Sequence, residues 1–190
     1  LVLILCVAMA TLGLLELRRI TVLEVQLDSL AQRKQAMEQW KGATSVNLAR
    51  ALAIAHSAYQ ADVVKAFDPL MKETTAHISV LQKGLEDRID DEAERQAFAA
   101  VGDKRKAYVG IRAEAGKLFN AGQTDTGREK VGAAMVPAAT AYVAAMDTLL
   151  AHYEKRTGVA RAALSGEIAF GQQLMIVGAL ASLVCGAVLA

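Results

Sequence analysis

The hydrophobic pattern of this chain has two uninterrupted apolar runs and a helical repeat between them. Residues 1 to 15 and residues 174 to 190 contain no charged side chain. Each run is slightly shorter than the roughly 20 residues with which a helix crosses a bilayer. Between the runs, apolar residues recur at spacings of three and four, and strand-type alternation is absent. The pattern predicts an all-α fold: an antiparallel up-down four-helix bundle whose long helices 1 and 4 continue into two flanking transmembrane helices.

These runs divide the chain into three expected segments. They are a truncated transmembrane helix at residues 1–17, a polar bundle domain at residues 18–172 and a second truncated transmembrane helix at residues 173–190. The first run has an alternative interpretation as a secretory signal peptide, because Ala8-Met9-Ala10 has the small-residue spacing of a cleavage site. The alternative for the second run is a buried helix in an ordinary core.

Small residues recur at every fourth position of the second run. They are Gly178, Ser182, Gly186 and Ala190. Such a seam lets membrane helices approach one another closely. We therefore expect a homodimer, with the long first and last helices of each bundle near the two-fold axis.

Residues that favour the ends of helices divide the predicted bundle into four helices of unequal length. Asp68-Pro69 predicts the start of the second helix, because Pro is favoured at the first helical position. Asp90 or Asp91 is the expected N-cap of the third helix, and Asn120-Ala121-Gly122 its expected end. Pro137 should kink or locally loosen the fourth helix, because it removes one backbone donor. The predicted helices span residues 18–61, 69–88, 92–120 and 126–172.

Composition narrows the classes of function. The net charge is +1, with 21 basic and 20 acidic side chains and a single Trp, which argues against an extended basic surface for nucleic acid. Both cysteines, Cys6 and Cys185, lie in the apolar runs, and the three histidines have no metal-ligand spacing. We therefore expect no metal, no cofactor, no nucleic-acid partner and no enzymatic activity, since no nucleophile and base are paired by spacing.

The third helix carries charge along the side that should face the core. A stripe at spacings of three and four contains two arginines and a tyrosine: Phe98, Val101, Arg105, Tyr108, Arg112, Ala115 and Phe119. A buried guanidinium without a partner would cost several kcal/mol. An antiparallel register places Arg112 opposite Thr74 and Thr75 of the second helix, where no carboxylate lies.

The same register places Arg105 opposite Gln82 of the second helix and Tyr142 of the fourth, again without a carboxylate. The two guanidinium groups would lie about 10 Å apart along the helix. This spacing suits a ligand with a carboxylate at each end, such as malate, succinate or citrate, because each arginine can bind one carboxylate through two hydrogen bonds. The alternative is that both arginines extend to solvent while their stems cover apolar surface.

Two stretches resemble a known family: QWKGATSVNL at residues 39–48 and DKRKAYV at residues 103–109. They are similar to a subgroup of bacterial methyl-accepting chemotaxis receptors for organic acids such as malate and citrate, whose sensory region is a four-helix bundle between two membrane helices. In that subgroup, arginines of helix 3, a tyrosine of helix 4 and polar residues of helix 2 hold the carboxylates. The resemblance implies the ligand-binding residues Arg105, Arg112, Tyr142, Thr75, Gln82, Thr74 and Tyr108.

The resemblance also implies a location and a mechanism. The protein would be a homodimer in the bacterial inner membrane with a periplasmic sensory domain, and the ligand would shift helix 4 relative to helix 1. Arg18 and Arg19 directly follow the first apolar run, and the positive-inside rule would place them in the cytoplasm. The periplasmic assignment therefore depends on the resemblance. The alternatives are a sensor module of a histidine kinase or cyclase, and a protein-binding helical adaptor.

Overall fold

The computed structural model describes the backbone of residues 2–189 and the side chains of residues 7–184. No strand occurs in that part of the chain, which confirms the all-α prediction. The elements are α1 (Val2–His56), α2 (Ala61–Glu86), α3 (Glu92–Asn120), α4 (Thr124–Lys130), a π-helical segment (Val131–Met135) and α5 (Val136–Leu189). Because α4, the π-helical segment and α5 follow one another without a break, the described residues form four helical runs.

The chain divides into two compact units. The central unit comprises residues 33–153, and the terminal unit comprises residues 1–32 and 154–190. In the central unit, large apolar side chains of α1, α2, α3 and α5 are buried together, and the burial of each contributes about 1.5 to 3 kcal/mol. They include Met37, Trp40, Met71, Ile78, Leu85, Phe98, Val101, Met146 and Leu149.

The stripe on α2 shows how the sequence produces this core. Met71, Ile78 and Leu85 are its buried residues, and their seven-residue spacing places them on one side of the helix. On α1, Trp40 packs edge-on against Phe98 of α3, with ring centroids 6.0 Å apart. Such an aromatic pair contributes about 0.5 to 1.5 kcal/mol beyond its buried area.

The predicted start of the second helix at Asp68-Pro69 is wrong. The first helix ends at His56, the second begins at Ala61, and Pro69 lies inside α2. The chain turns at Ala58 and Tyr59, whose φ angles of 52° and 60° are left-handed. The N–H of Tyr59 donates to the carbonyl of Ile54 and that of Ala58 to the carbonyl of Ala55, each at 3.0 Å. These two bonds are the Schellman pattern, which usually has Gly at the left-handed position.

The predicted positions of both ends of α3 are confirmed. The Asp91 carboxylate accepts a hydrogen bond from the Glu94 N–H at 2.7 Å, so Asp91 is the N-cap. At the other end, Gly122 has a φ of 74°. The Gln123 N–H donates to the Leu118 carbonyl at 3.0 Å, which is the same Schellman pattern with the expected glycine.

The expected loosening near Pro137 is present as the π-helical segment that ends two residues before it. The N–H of Val136 donates to the carbonyl of Val131, one residue further back than in an α-helix. Pro137 has no N–H to donate, and the helical run widens at this point instead of ending.

The terminal unit exposes much apolar surface. Leu14, Val177 and Leu183 have 63, 63 and 70% of their side-chain surface exposed. By length and composition, the helix over Thr124–Val184 contains a segment apolar enough to cross a membrane, with a mean hydropathy of 1.5. A Cβ at Gly178 would collide with the Met9 side chain of the same unit, so this small residue permits close packing. The side chains of Cys6 and Cys185 and the seam residues Gly186 and Ala190 lie outside the described side chains.

Candidate functional site

Five of the seven predicted ligand-binding residues line one small cavity in the central unit. The cavity has a volume of about 20 Å³, and its predicted members are Arg105, Tyr108, Arg112, Tyr142 and Thr75. Three of them come from α3, because spacings of three and four place them on one side of that helix. We call this group the arginine site.

Arg105 is held by neutral groups of α2. One guanidinium nitrogen donates to the Gln82 amide oxygen, and the other donates to the Ser79 hydroxyl at 3.0 Å. Gln82 therefore contacts Arg105, as the antiparallel register predicts. No described carboxylate forms an ion pair with this guanidinium, so its charge is not neutralised within the described part of the protein.

Arg112 lies seven residues, or about two helical turns, further along α3 than Arg105. It also has no carboxylate partner among the described residues. Its guanidinium carbon is 5.8 Å from the centroid of the Tyr108 ring, within the range of a cation–π contact. The aromatic face stabilises the charge without satisfying the N–H donors. Arg112 can therefore bind an additional acceptor.

Tyr108 brings a buried hydroxyl to the arginine site. Its side chain is only 3% exposed, and its hydroxyl has no hydrogen-bond partner in the described part of the protein. Burial raises the pKa of the Tyr108 phenol, and the nearby Arg112 guanidinium opposes part of this rise through its positive charge and its N–H donors. A buried hydroxyl without a partner costs about 1 to 3 kcal/mol, and a bound ligand with a polar group would remove that cost.

Tyr142 closes the site from α5. Its hydroxyl accepts hydrogen bonds from Trp40 Nε1 at 2.6 Å and from the Thr44 hydroxyl at 3.5 Å. Its ring stacks on Tyr108 with centroids 6.2 Å apart. Because the Tyr142 oxygen accepts both bonds, its own proton is available for a third. Thr44 also lines the cavity.

The two threonines of α2 have different surroundings. The Thr75 hydroxyl accepts from Asn47 Nδ2 at 3.2 Å and lines the cavity with it. The Thr74 hydroxyl accepts from Arg50 at 2.8 Å and donates to the Leu70 carbonyl. Thr74 therefore belongs to a neighbouring group and is not part of the cavity lining.

Arg50 of α1 contacts α2 beside the arginine site. It is half-buried and donates to the Thr74 hydroxyl, to the Leu70 backbone carbonyl at 3.2 Å and to Asn47 Oδ1 at 3.3 Å. The turn at residues 57–60, which the sequence pattern did not reveal, brings α2 alongside α1 at this height.

A larger cleft of about 390 Å³ adjoins the arginine site and shares Arg112 and Thr75 with it. We call it the side cleft. Tyr59, which sequence reasoning missed, lines this cleft. Its ring stacks on Phe119 with centroids 4.7 Å apart. No motif marks Tyr59, because its position depends on two non-glycine residues in left-handed conformation.

A second polar group, the Arg33 cluster, lies where α2 meets α3. Arg33 pairs with Glu94 at 2.7 Å and with Asp90 at 2.8 Å. The Tyr153 hydroxyl donates to the other Glu94 oxygen at 2.9 Å. The sequence contained a signal for this cluster, because Arg33 interrupts the apolar stripe of Leu30, Met37 and Trp40. That signal was missed, and neither Arg33 nor Glu94 was expected to belong to a buried ion pair.

His152 also belongs to the Arg33 cluster. Its Nε2 is 3.1 Å from an Asp91 oxygen, and one ligand atom from each of Asp91, Glu94 and His152 lies within 4.8 Å of the others. These atoms already have structural roles: Asp91 caps α3, and both Glu94 oxygens bind protein donors. The cluster therefore joins the α2–α3 turn to α1 and α5.

Comparison with protein-family models and with curated proteins finds no match for this chain.

Proposed function

We propose that this chain is the sensory region of a bacterial transmembrane receptor of the chemotaxis type, and that its arginine site binds a small organic carboxylate. The observation that carries the proposal is the Tyr108 hydroxyl, which is buried and without a partner between two arginines that have no carboxylate. A carboxylate supplies an acceptor for the Tyr108 hydroxyl and the negative charge that neither arginine has among the described residues.

Charge favours an anionic ligand over a structural role for these arginines. Taking a guanidinium out of water is costly unless a negative charge accompanies it. Arg105 and Arg112 are half-buried, and the groups that they contact directly are neutral hydrogen-bonding groups and an aromatic face. An organic acid provides the missing charge, and di- or tricarboxylates such as malate, succinate and citrate are the first candidates because there are two arginines.

The helix that carries Tyr142 provides a route for the signal. In this proposal the central unit is an up-down four-helix bundle, and α1 and α5 continue into transmembrane helices of a homodimer in the inner membrane, with the bundle in the periplasm. α5 runs from Val136 to Leu189, and it contains both Tyr142 and the exposed apolar surface of its second half. A ligand that binds one position of α5 more tightly than another would shift this helix.

Calorimetric titration of the 190-residue chain in lipid nanodiscs tests the proposal. Malate, succinate, citrate and a set of monocarboxylates are the titrants, and sodium chloride at matched ionic strength is the control. We expect saturable heat with at least one carboxylate and a rise in melting temperature at saturation. Absence of both effects at millimolar concentration of every acid would refute it. The same sensory region can serve a histidine kinase or a cyclase, since the output domain would lie outside this chain.

A further inference from the structure

The arginine site and the side cleft differ greatly in volume. The cavity shared by Arg105 and Arg112 measures about 20 Å³, and a cavity needs about 10 to 15 Å³ to hold one water molecule. A dicarboxylate between the two arginines would therefore require the helices to move apart. The side cleft measures about 390 Å³ and holds an organic acid without such a movement.

The charges along the side cleft match a ligand with a single negative charge. Arg112 lines the cleft without an ionic partner. The other cation, Lys72, is largely exposed and pairs at 2.7 Å with Asp68, whose side chain is about half exposed. One unneutralised positive charge is left, and the hydroxyl of Thr75 lies in the same wall.

The remainder of the cleft is apolar. Ile54 and Met71 form part of a buried cluster, against which Val64 and Tyr59 pack. A second carboxylate placed against this surface would lose its hydration without gaining a partner. An aryl or branched alkyl group placed there would instead bury apolar surface, which is favourable.

Tyr59 is held at the cleft by a costly local conformation. Left-handed backbone at a non-glycine residue costs about 1 to 2 kcal/mol, and both Ala58 and Tyr59 adopt it. Across the cleft, a Cβ at residue 116 would lie 2.9 Å from the Tyr59 hydroxyl, so only Gly116 leaves room for the tyrosine. Strain of this kind often accompanies a functional site.

We propose that the side cleft binds a monocarboxylate with an apolar body, its carboxylate on Arg112 and its body against Ile54 and Met71 beside Tyr59. This inference depends on the proposed function, because it specifies the class of acid that Arg112, at the border of the arginine site and the side cleft, binds. Di- and tricarboxylates would then be the weaker ligands.

The test uses benzoate as the probe and the full 190-residue chain in nanodiscs. Calorimetry compares benzoate with malate and citrate, and with benzamide, which has the same ring but no charge. We expect benzoate to bind at least about tenfold more tightly than the other three compounds. Binding of malate or citrate without binding of benzoate would overturn this inference and leave the proposed function intact. Failure of every acid to bind would overturn both.

Two pairs of variants locate the ligand. Ala113 lies on the cleft wall and is exposed, so Ala113→Leu fills the cleft, and Ala107→Leu on the exposed face of the same helix is its control. Gly116→Ala displaces Tyr59, and Gly110→Ala, where an added Cβ has no atom within 4 Å, is its control.

We expect each cleft variant to weaken benzoate binding about tenfold or more, relative to its control. Circular dichroism melts identify a variant that does not fold. If one cleft variant does not fold, the benzoate affinities of the other cleft variant and its control decide whether the ligand binds in the side cleft. Unchanged benzoate affinity in a folded cleft variant would overturn the assignment to this cleft.

Discussion

The Arg33 cluster and the arginine site place the same side chain in opposite electrostatic surroundings within one unit. Arg33 is 1% exposed, and its guanidinium binds Glu94, Asp90 and the Arg88 carbonyl. Burial alone would lower the pKa of Arg33, but Asp90 and Glu94 outweigh it and hold the pKa above its ordinary value. Arg105 and Arg112 have no such carboxylates among the described residues.

This difference separates a structural role from a binding role. A buried arginine with two carboxylates is neutralised by the protein itself and helps to define how the helices meet. An arginine with only neutral acceptors stays positively charged and can bind an external anion. Loss of the positive charge should therefore lower the stability of the fold at Arg33, and lower the affinity for a carboxylate at Arg105 or Arg112.

The largest expected effect is on stability, at Arg33. Replacing Arg33 by Leu leaves the Glu94 carboxylate buried without its counter-ion, and we expect a loss of about 3 to 5 kcal/mol in the free energy of unfolding. Denaturant unfolding of the chain measures this loss. Arg95→Ala is the control, because Arg95 pairs with Glu92 on the surface, and exposed pairs contribute about 0 to 1 kcal/mol. Equal losses in the two variants would contradict the structural role of Arg33.

The second effect is on affinity, at the arginine site. Arg112→Ala should cost about 2 to 4 kcal/mol of carboxylate binding, because a desolvated charge partner is lost. Arg105→Lys keeps the charge but loses the planar fork, so it should also weaken binding while the fold stays intact. Lys104→Ala, on the exposed side of the same helix, is the control for both.

Melting temperature and affinity, measured together on these three variants, separate the two interpretations of the arginines. If they only cover apolar surface with their stems, Arg112→Ala leaves affinity unchanged. That result would argue against the arginine site.

Removing one tyrosine hydroxyl from the arginine site and one from the Arg33 cluster should change the stability of the protein in opposite directions. Tyr108→Phe removes a buried hydroxyl without a partner, so the ligand-free protein should gain about 1 kcal/mol. Tyr153→Phe removes the donor to a Glu94 oxygen, so the protein should lose about 1 to 3 kcal/mol. Thermal melts of both variants provide the measurement. A loss of stability in Tyr108→Phe would mean that its hydroxyl is already bound within the protein.

The smallest expected effect concerns an exposed ion pair. Its charges are neither deeply buried, as in the Arg33 cluster, nor without an ionic partner, as in the arginine site. Lys130 lies 2.7 Å from the Glu114 carboxylate and holds the pKa of Glu114 below its ordinary value of 4.5. A lowered pKa means that the charged form stabilises the fold, so its contribution is present at neutral pH and is lost as the pH falls below 4.5.

Glu114→Gln should therefore melt slightly below the wild type at pH 7, and this difference should disappear as the pH falls below the lowered pKa of Glu114. Glu73→Gln is the control, because Glu73 forms no ion pair in the described part of the chain. A difference in melting temperature that does not depend on pH would exclude the ionic explanation.

Several features of the central unit could be predicted from local patterns. Heptad spacing placed Met71, Ile78 and Leu85 in the core, and Asp91 and Gly122 marked the ends of α3. The antiparallel register brought Gln82 to Arg105. These features depend on side-chain spacing and on residues with a strong conformational preference, which a linear pattern displays directly.

The Arg33 cluster was predictable in part. An arginine between Leu30 and Met37 on an apolar stripe indicates a buried charge that needs a partner. The partner could not be identified from spacing, because Glu94 follows the α2–α3 turn and reaches Arg33 only when α1 lies against it. Pairings over 61 residues of sequence depend on how the helices pack.

The sequence by itself determined the helices, the sides that they bury and the glycine-marked end of α3. Tertiary structure alone decided the end of α1 and, with it, the side cleft. At both helix ends the same hydrogen-bond pattern requires a left-handed residue, and α3 uses Gly122 where α1 uses Ala58. Alanine resists that conformation in an isolated chain. It is held here because the Tyr59 ring stacks on Phe119 and its hydroxyl fits over Gly116, contacts that exist only once α3 has packed beside the turn.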